Sequence, residues 1–83
     1  MAIDENRPFQ PIGIAIVTVS DTRDASTDTS GDLLEARVRE AGHILIERTI
    51  CPDDAAEIYD VLRRCIASVE VDAIITTGGT GLT

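Results

Sequence analysis

Apolar and polar stretches alternate along the chain in a pattern that predicts three β-strands. Residues 12–19 form an almost uninterrupted apolar run, which is typical of a strand buried on both faces in the middle of a parallel sheet. Residues 43–50 mix apolar with charged side chains, so we expect a second strand nearer the sheet's edge. Residues 71–76 are rich in β-branched side chains and predict a third strand.

A first helix is predicted over residues 31–41, between the first two strands. Its apolar side chains recur at spacings of four and three and share one face: Leu34, Val38 and Ala41. Thr29 followed by Asp32 forms a weak capping box, and Gly42 is a natural stop for the helix. Residues 20–30 are rich in Ser, Thr and Asp and predict a long loop before it.

A second helix is predicted over residues 55–70, after a turn at residues 51–54. Asp54 with Glu57 three residues later forms a good capping box at its start. Apolar residues at helical spacing define the face that packs on the sheet: Ile58, Leu62, Cys65 or Ile66, and Val69.

The element order β-α-β-α-β places the chain in the α/β class. Right-handed crossovers produce a mostly parallel, Rossmann-like sheet between helices, in three layers. Residues 1–11 are polar and predict a flexible N-terminal arm, and residues 12–83 belong to one domain.

Three glycines in four positions follow the third strand, within residues 76–83. Glycine allows positive φ and close approach of the backbone, so successive N–H groups can form a nest for a phosphate. Thr77 and Thr80 add hydroxyl donors, whereas the loop is neither a Walker P-loop nor G-x-G-x-x-G. An ordinary tight turn is an equally good interpretation of the glycines alone. Since such a loop normally opens a helix, we expect the chain to be a fragment.

Composition excludes several classes of function. The net charge of −8 argues against nucleic acid as a partner, and an aromatic content of 2% leaves no platform for stacking bases. Two cysteines without C-x-x-C spacing provide neither a disulfide framework nor a zinc signature. With no signal peptide and no membrane-spanning run, we expect a cytoplasmic protein with reduced thiols.

Ligands of open α/β sheets bind beyond the carboxyl ends of the strands. If the first strand lies between the other two, its long loop faces the glycine loop across a crevice. Hydroxyl donors there are Ser20, Thr22, Thr29 and Ser30, and the carboxylates are Asp21, Asp24, Asp28, Asp53 and Asp54. Phosphate donors beside carboxylates suggest phosphoryl or nucleotidyl transfer assisted by Mg²⁺.

Simpler interpretations of the polar residues remain open. Asp54 is most simply a helix N-cap, and Asp53 either shares that cap or has a chemical role. Asp24 and Asp28 are interpreted as solvated loop acids. His43 lies at the opposite end of the sheet and is interpreted as structural.

Four blocks of the chain resemble the MogA/MoaB family of molybdopterin adenylyltransferases, which is related to the gephyrin G domain. In order they are Ile14 to Asp21, Asp28-Thr29-Ser30-Gly31, Pro52-Asp53, and Thr76-Thr77-Gly78-Gly79-Thr80-Gly81. The resemblance covers residues 12–83, which then form the N-terminal part of a molybdopterin-binding domain. The Asp28-Thr29-Ser30-Gly31 block and the ending Gly81-Leu82-Thr83 look more like MoaB.

The resemblance implies that ATP and Mg²⁺ activate molybdopterin by transfer of AMP to its terminal phosphate, in a trimer or hexamer. Asp53 falls on the family's first functional aspartate, the expected catalytic residue and Mg²⁺ ligand; the second falls beyond Thr83. The expected substrate- and nucleotide-binding residues are Ser20, Asp21, Ser30, Thr77, Gly78, Gly79, Thr80 and Gly81. The alternatives are a non-catalytic binding module, of MoaB type or like the CinA and MoeA domains, and a generic nucleotide-binding domain.

Overall fold

Three strands and two helices alternate in the computed structural model, which describes residues 9–24 and 26–78. In chain order they are β1 (Gly13–Val19), α1 (Thr29–Glu40), β2 (Ile44–Cys51), α2 (Ala55–Ala67) and β3 (Ala73–Gly78). The strands pair in parallel in the order β2-β1-β3, so the first strand is central as expected. The α/β prediction is confirmed, with β3 two residues later than its predicted bounds.

Each face of the sheet packs against one helix, which confirms the three layers. Toward α2 the buried cluster consists of Ala15, Val17, Val19, Cys51, Val61 and Cys65. Toward α1 it consists of Ile14, Ile16 and Val38. Because β1 is covered on both faces, all seven of its residues are buried. Gly13 must be glycine, since a Cβ there would lie 2.0 Å from the carbonyl oxygen of Glu70.

Helix α1 begins two residues earlier than predicted, and its cap is Asp28 rather than Thr29. The Asp28 side chain accepts a hydrogen bond from the Gly31 N–H, so the predicted capping box of Thr29 with Asp32 is wrong. Gly42 ends the helix as expected, with φ +85°. Its N–H donates to the carbonyl of Arg39, and that of His43 donates to Val38, which together form a Schellman motif.

Helix α2 is capped by Asp54, whose side chain accepts from the Glu57 N–H as predicted. The helix ends at Ala67, three residues before the predicted end, and this changes its buried face. Val61 and Cys65 are the buried residues, with Ile58 and Leu62 packed beside them. Of the predicted alternatives Cys65 or Ile66, Cys65 is the buried one and Ile66 is 73% exposed, whereas the prediction was wrong for Val69, which is 97% exposed. Val69 lies in the turn beyond the helix and has no helical face to share.

Strand β2 contains a register shift that decides which face its side chains occupy. Ile14 pairs with Leu45 but Ala15 pairs with Glu47, so Ile46 is an extra residue. Because side chains alternate along a strand, one extra residue moves all later ones to the opposite face. The shift places Arg48 beside Ile16, on the face that α1 covers.

Candidate functional site

The three strands end level with one another at the carboxyl edge of the sheet. Val19 at the end of β1 pairs with Cys51 of β2 and with Gly78 of β3. The chain therefore leaves all three strands at one edge, where the sequence predicted the site. Ser20 continues the pairing, since its N–H donates to the carbonyl oxygen of Cys51 at 2.9 Å.

Ser20 folds the chain into a tight turn directly after β1. Its Oγ accepts hydrogen bonds from the backbone N–H groups of Thr22 and Arg23, at 3.2 and 3.1 Å. The serine oxygen is the acceptor in both bonds, so neither uses the hydroxyl proton. The side chain therefore orders the start of the loop and keeps a donor.

Asp21 connects the loop after β1 to the turn after β2. Its Oδ1 accepts a hydrogen bond from the Asp53 N–H at 3.0 Å, across 32 residues of sequence. Asp21 and Asp53 are both exposed. The structure thus brings together two of the predicted site acids.

Asp21 and Asp53 are the candidate ligands for the expected Mg²⁺ ion. Within residues 9–24 and 26–78, no three His, Cys, Asp or Glu side chains are grouped closely enough to hold a metal ion. Mg²⁺ in phosphate-transfer sites usually takes one or two carboxylates and fills its remaining positions with water and phosphate oxygens. Two exposed aspartates, of which one accepts from the backbone N–H of the other, fit that donor set in kind and number.

Gly78 is the last residue of β3, at the carboxyl edge of the sheet. Its φ is +80°, which residues with a side chain rarely adopt. A Cβ at this position would lie 2.5 Å from the carbonyl oxygen of Val19. The expected positive φ of the glycine loop is therefore present at its first glycine. Thr77 pairs with Thr18 of β1. The other predicted site residues of the loop, Gly79, Thr80 and Gly81, lie outside the described residues.

Asp28 is the clearest correction to the sequence analysis. We predicted a solvated loop acid, but the residue is fully buried. Its Oδ1 accepts from the Gly31 N–H at 3.0 Å, and its Oδ2 accepts from Thr18 Oγ1 at 2.9 Å and from Arg48 Nη2 at 3.0 Å. Burial alone would raise the pKa of Asp28, but the hydrogen bonds from Gly31, Arg48 and Thr18 outweigh it and lower that pKa.

Arg48 is the cation that offsets the cost of burying the Asp28 carboxylate. Its guanidinium also forms ion pairs with Asp32 at 2.8 Å and with Glu35 at 2.9 Å, so two carboxylates of α1 and that of its cap surround one arginine. Partial burial alone would lower the pKa of Arg48, but hydrogen bonds to Asp32, Asp28 and Glu35 outweigh it and raise the pKa. The guanidinium therefore stays charged, as arginine does in proteins generally.

Sequence reasoning missed Asp28 and Arg48 as a pair, although two signals were present. Arg48 is a charged residue in a strand that mixes apolar and charged side chains. Thr18 is the one residue with a hydroxyl in the apolar run of β1. Buried and half-buried polar side chains need partners, and here Thr18 and Arg48 share Asp28.

The remaining polar predictions concern residues beside or opposite the site. Ser30 lies half-buried in the first turn of α1. Asp24 is exposed, as expected, and accepts from Ser26 and Thr27 in a local turn. His43 has the expected structural role, since its Nδ1 accepts from the Ile12 N–H at 3.1 Å.

The two cysteines are buried free thiols. Burial is the main reason that the pKa of Cys51 is raised, and the charges of Glu57 and Asp53 add to it. A raised pKa keeps the thiol neutral at physiological pH and leaves little nucleophilic thiolate. Cys51 is therefore not a candidate nucleophile.

Neither of the two described helices combines the length and apolar character needed to cross a bilayer. 

Comparison with known proteins identifies the family. Residues 15–83 match the family described as a probable molybdopterin binding domain. The chain belongs to this family. Molybdenum cofactor biosynthesis protein B of Bacillus anthracis is 38% identical over 85 residues, which cover 100% of this chain and 50% of the relative. The protein of the same name from Escherichia coli K12 is 41% identical over 75 residues, covering 90% and 44%.

A crystal structure of a molybdenum cofactor biosynthesis protein B superposes with a TM-score of 0.86 at 38% identity, covering 93% of this chain and 48% of that one. The resemblance to the MogA/MoaB family is therefore confirmed. The chain spans about half the length of the curated relatives that it matches.

Proposed function

We propose that the intact protein acts in molybdenum-cofactor biosynthesis and transfers AMP from ATP to molybdopterin. The family match and the names of the relatives support a role in this pathway. The observation that carries the proposal at the level of residues is the contact between Asp21 and Asp53. It joins two acids at the edge of the sheet where Gly78 begins the glycine loop.

The proposed reaction forms one bond and breaks one bond. An oxygen of the terminal phosphate of molybdopterin attacks the α-phosphorus of ATP, and pyrophosphate leaves with the bonding electron pair. Mg²⁺, when bound, would neutralise charge on the phosphates as the displacement proceeds. Asp53 would hold this ion beside Asp21, since both are exposed carboxylates at one edge.

The other residues of the proposed site act on the phosphates. The Ser20 hydroxyl proton is not used in the two bonds that its oxygen accepts, so it can donate to a phosphate oxygen. Thr77 and Thr80 would add hydroxyl donors and Ser30 a third from α1. Backbone N–H groups of Gly78, Gly79 and Gly81 would complete the cradle. Assembly as a trimer or hexamer and a cytoplasmic location remain predictions of the resemblance.

The experiment is the substitution Asp53→Asn in the intact protein, with Asp54→Ala as the matched control on the neighbouring residue. With molybdopterin and Mg-ATP, Asp53→Asn should slow formation of adenylylated molybdopterin at least about tenfold and leave the melting temperature nearly unchanged. Asp54→Ala removes a helix cap, so it should lower the melting temperature by a few degrees and largely spare the rate.

A second measurement separates transfer from binding alone. If the unsubstituted protein binds molybdopterin in calorimetry but releases no pyrophosphate from ATP, it is a non-catalytic binding module. If both variants retain the full rate, Asp53 is part of a turn and the proposed metal ligand is wrong.

A further inference from the structure

We infer that Asp28 and Arg48 are positioning residues that hold residues 20–24 in the conformation that binds the ligand's phosphates. The inference rests on the proposed function, because it assigns a role within that site. Neither residue is placed in contact with the ligand. Each acts through the loop that carries Ser20 and Asp21.

The first observation is that Asp28 has bonds on every oxygen it carries. Both carboxylate oxygens accept hydrogen bonds, and Oδ2 is shared by Thr18 and Arg48. Its backbone carbonyl accepts from Arg48 Nη2 at 3.0 Å and from the Asp32 N–H at 3.0 Å. Main chain and side chain of one residue are thus both held in place.

The second observation is where those bonds lead. Thr18 belongs to β1, two residues before Ser20, and Arg48 belongs to β2. Asp28 therefore attaches the end of the loop to the strand from which the loop departs and to its neighbour. The beginning of the loop is held by the bond from Ser20 to Cys51, and its Asp21 holds the turn at Asp53.

The third observation is energetic. A buried ion pair rarely stabilises a fold more than a well-packed apolar pair of similar volume would. The side chain of Asp28 is fully buried, whereas that of Arg48 is 20% exposed. Such an arrangement is better suited to directional control than to net stability, because its bonds fix distances and angles on three elements at once.

The alternative is that Asp28 is only a helix cap with a charged neighbour. A cap fixes the first turn of α1 and leaves the conformation of residues 20–24 to their own bonds. The two interpretations differ in what happens at Thr22, Arg23 and Asp53 when the network is weakened. The amides of these residues donate to Ser20 or Asp21 and therefore report on the loop.

Two mild substitutions in the intact protein test the inference. Thr18→Val removes one bond to Asp28 with little change in volume. Arg48→Lys keeps the charge, but a single ammonium group cannot reproduce the fork that joins Asp28 to Glu35. The control is Glu47→Gln, which weakens an ion pair with Arg64 on the opposite face of the sheet.

The measurements are ¹⁵N relaxation of the loop amides and calorimetric affinity for Mg-ATP. Thr18→Val and Arg48→Lys should lower the order parameters of the Thr22, Arg23 and Asp53 amides, while amides within β1 stay unchanged. They should raise the Kd for Mg-ATP about tenfold, because the conformation that binds the ligand is populated less. Glu47→Gln should change neither quantity.

The outcomes separate the two proposals. If the loop amides of both variants stay as ordered as in the unsubstituted protein, the positioning role is wrong whatever the affinity. If the amides loosen but the Kd stays within about twofold, the loop's conformation does not control binding and the inference is also wrong. If the unsubstituted protein binds no Mg-ATP, the proposed function fails. The order parameters of the loop amides in the two variants then still decide whether Asp28 and Arg48 position the loop.

Discussion

The two faces of the sheet are closed by helices in different ways. On β1 the face toward α2 is apolar from Ala15 to Val19, and the buried cluster there contains two thiols. The face toward α1 is apolar only in its first half, where Ile14 and Ile16 meet Val38. In its second half Thr18 meets the buried carboxylate of Asp28. On the face toward α1, hydrogen bonds and an ion pair thus take the place of apolar packing near the carboxyl edge of the sheet, where the site lies.

The helix caps show the same difference at the level of single residues. Asp28 and Asp54 each accept a hydrogen bond from the N–H group three residues later. Asp54 is exposed, whereas Asp28 is fully buried and is paired with Arg48. The same residue type therefore serves as a simple cap on one helix and as the centre of a network on the other.

The largest expected effect is that of Asp28→Ala on the intact protein. It removes a cap and leaves Arg48 without its buried partner, so the free energy of unfolding should fall by about 3 kcal/mol, at the low end for a broken buried pair. The low end applies because Arg48 keeps Asp32 and Glu35. Denaturant unfolding measures the change.

Asp54→Ala is the matched substitution on the other helix. Its cost should be that of an exposed cap, about 0.5–2 kcal/mol. Equal losses for the two variants would mean that the burial of Asp28 adds nothing to its role as a cap, and the contrast between the faces would not hold.

Most of the fold could be predicted because it follows from local patterns. The uninterrupted apolar run of β1 placed it at the centre of a parallel sheet, and the spacing of Asp54 and Glu57 located the start of α2. The four blocks taken together were sufficient for the family, which the match over residues 15–83 confirms.

The role of Asp28 could not be predicted from local patterns, because it depends on its contact with Arg48, which lies 20 residues away in the sequence. The shift of register at Ile46 turns Arg48 toward α1, and no local pattern marks that residue as extra. Without the shift, Arg48 would lie on the face of α2, and Asp28 would have no cation. Val69 was misassigned for a different reason, since helical spacing was extended beyond Ala67, the last residue of α2.

The stability of the protein in acid should depend on Asp28, the buried carboxylate on the face toward α1. The pKa of Asp28 is lowered in the fold, so its contribution to stability is complete above its unfolded pKa of about 3.9 and is lost as the pH falls through the lower, folded pKa. Unfolding free energies measured between neutral pH and acid should therefore fall less steeply below about pH 4 for Asp28→Asn than for the unsubstituted protein. Parallel curves would show that the acid sensitivity comes from other carboxylates.

The smallest expected effect is that of Glu47→Gln, which weakens the ion pair with Arg64 on the face of α2. The side chains of Arg64 and Glu47 are 58% and 29% exposed, so water screens the pair and competes for its hydrogen bonds. The pKa of Glu47 is lowered, first by a hydrogen bond from Thr49 and then by one from Arg64. Glutamine keeps an acceptor for Thr49, so only the charge is lost.

The free energy of unfolding should therefore change by about 0–1 kcal/mol in Glu47→Gln, and less in 1 M salt than in dilute buffer. Arg64→Met removes the other partner and should give a loss of similar size, since Glu47 is then left with Thr49 and solvent. The double variant should cost no more than the larger single loss, because both remove one interaction. A loss near that of Asp28→Ala would mean that charge controls both faces alike, and the apolar core around Cys65 would not be what holds α2 to the sheet.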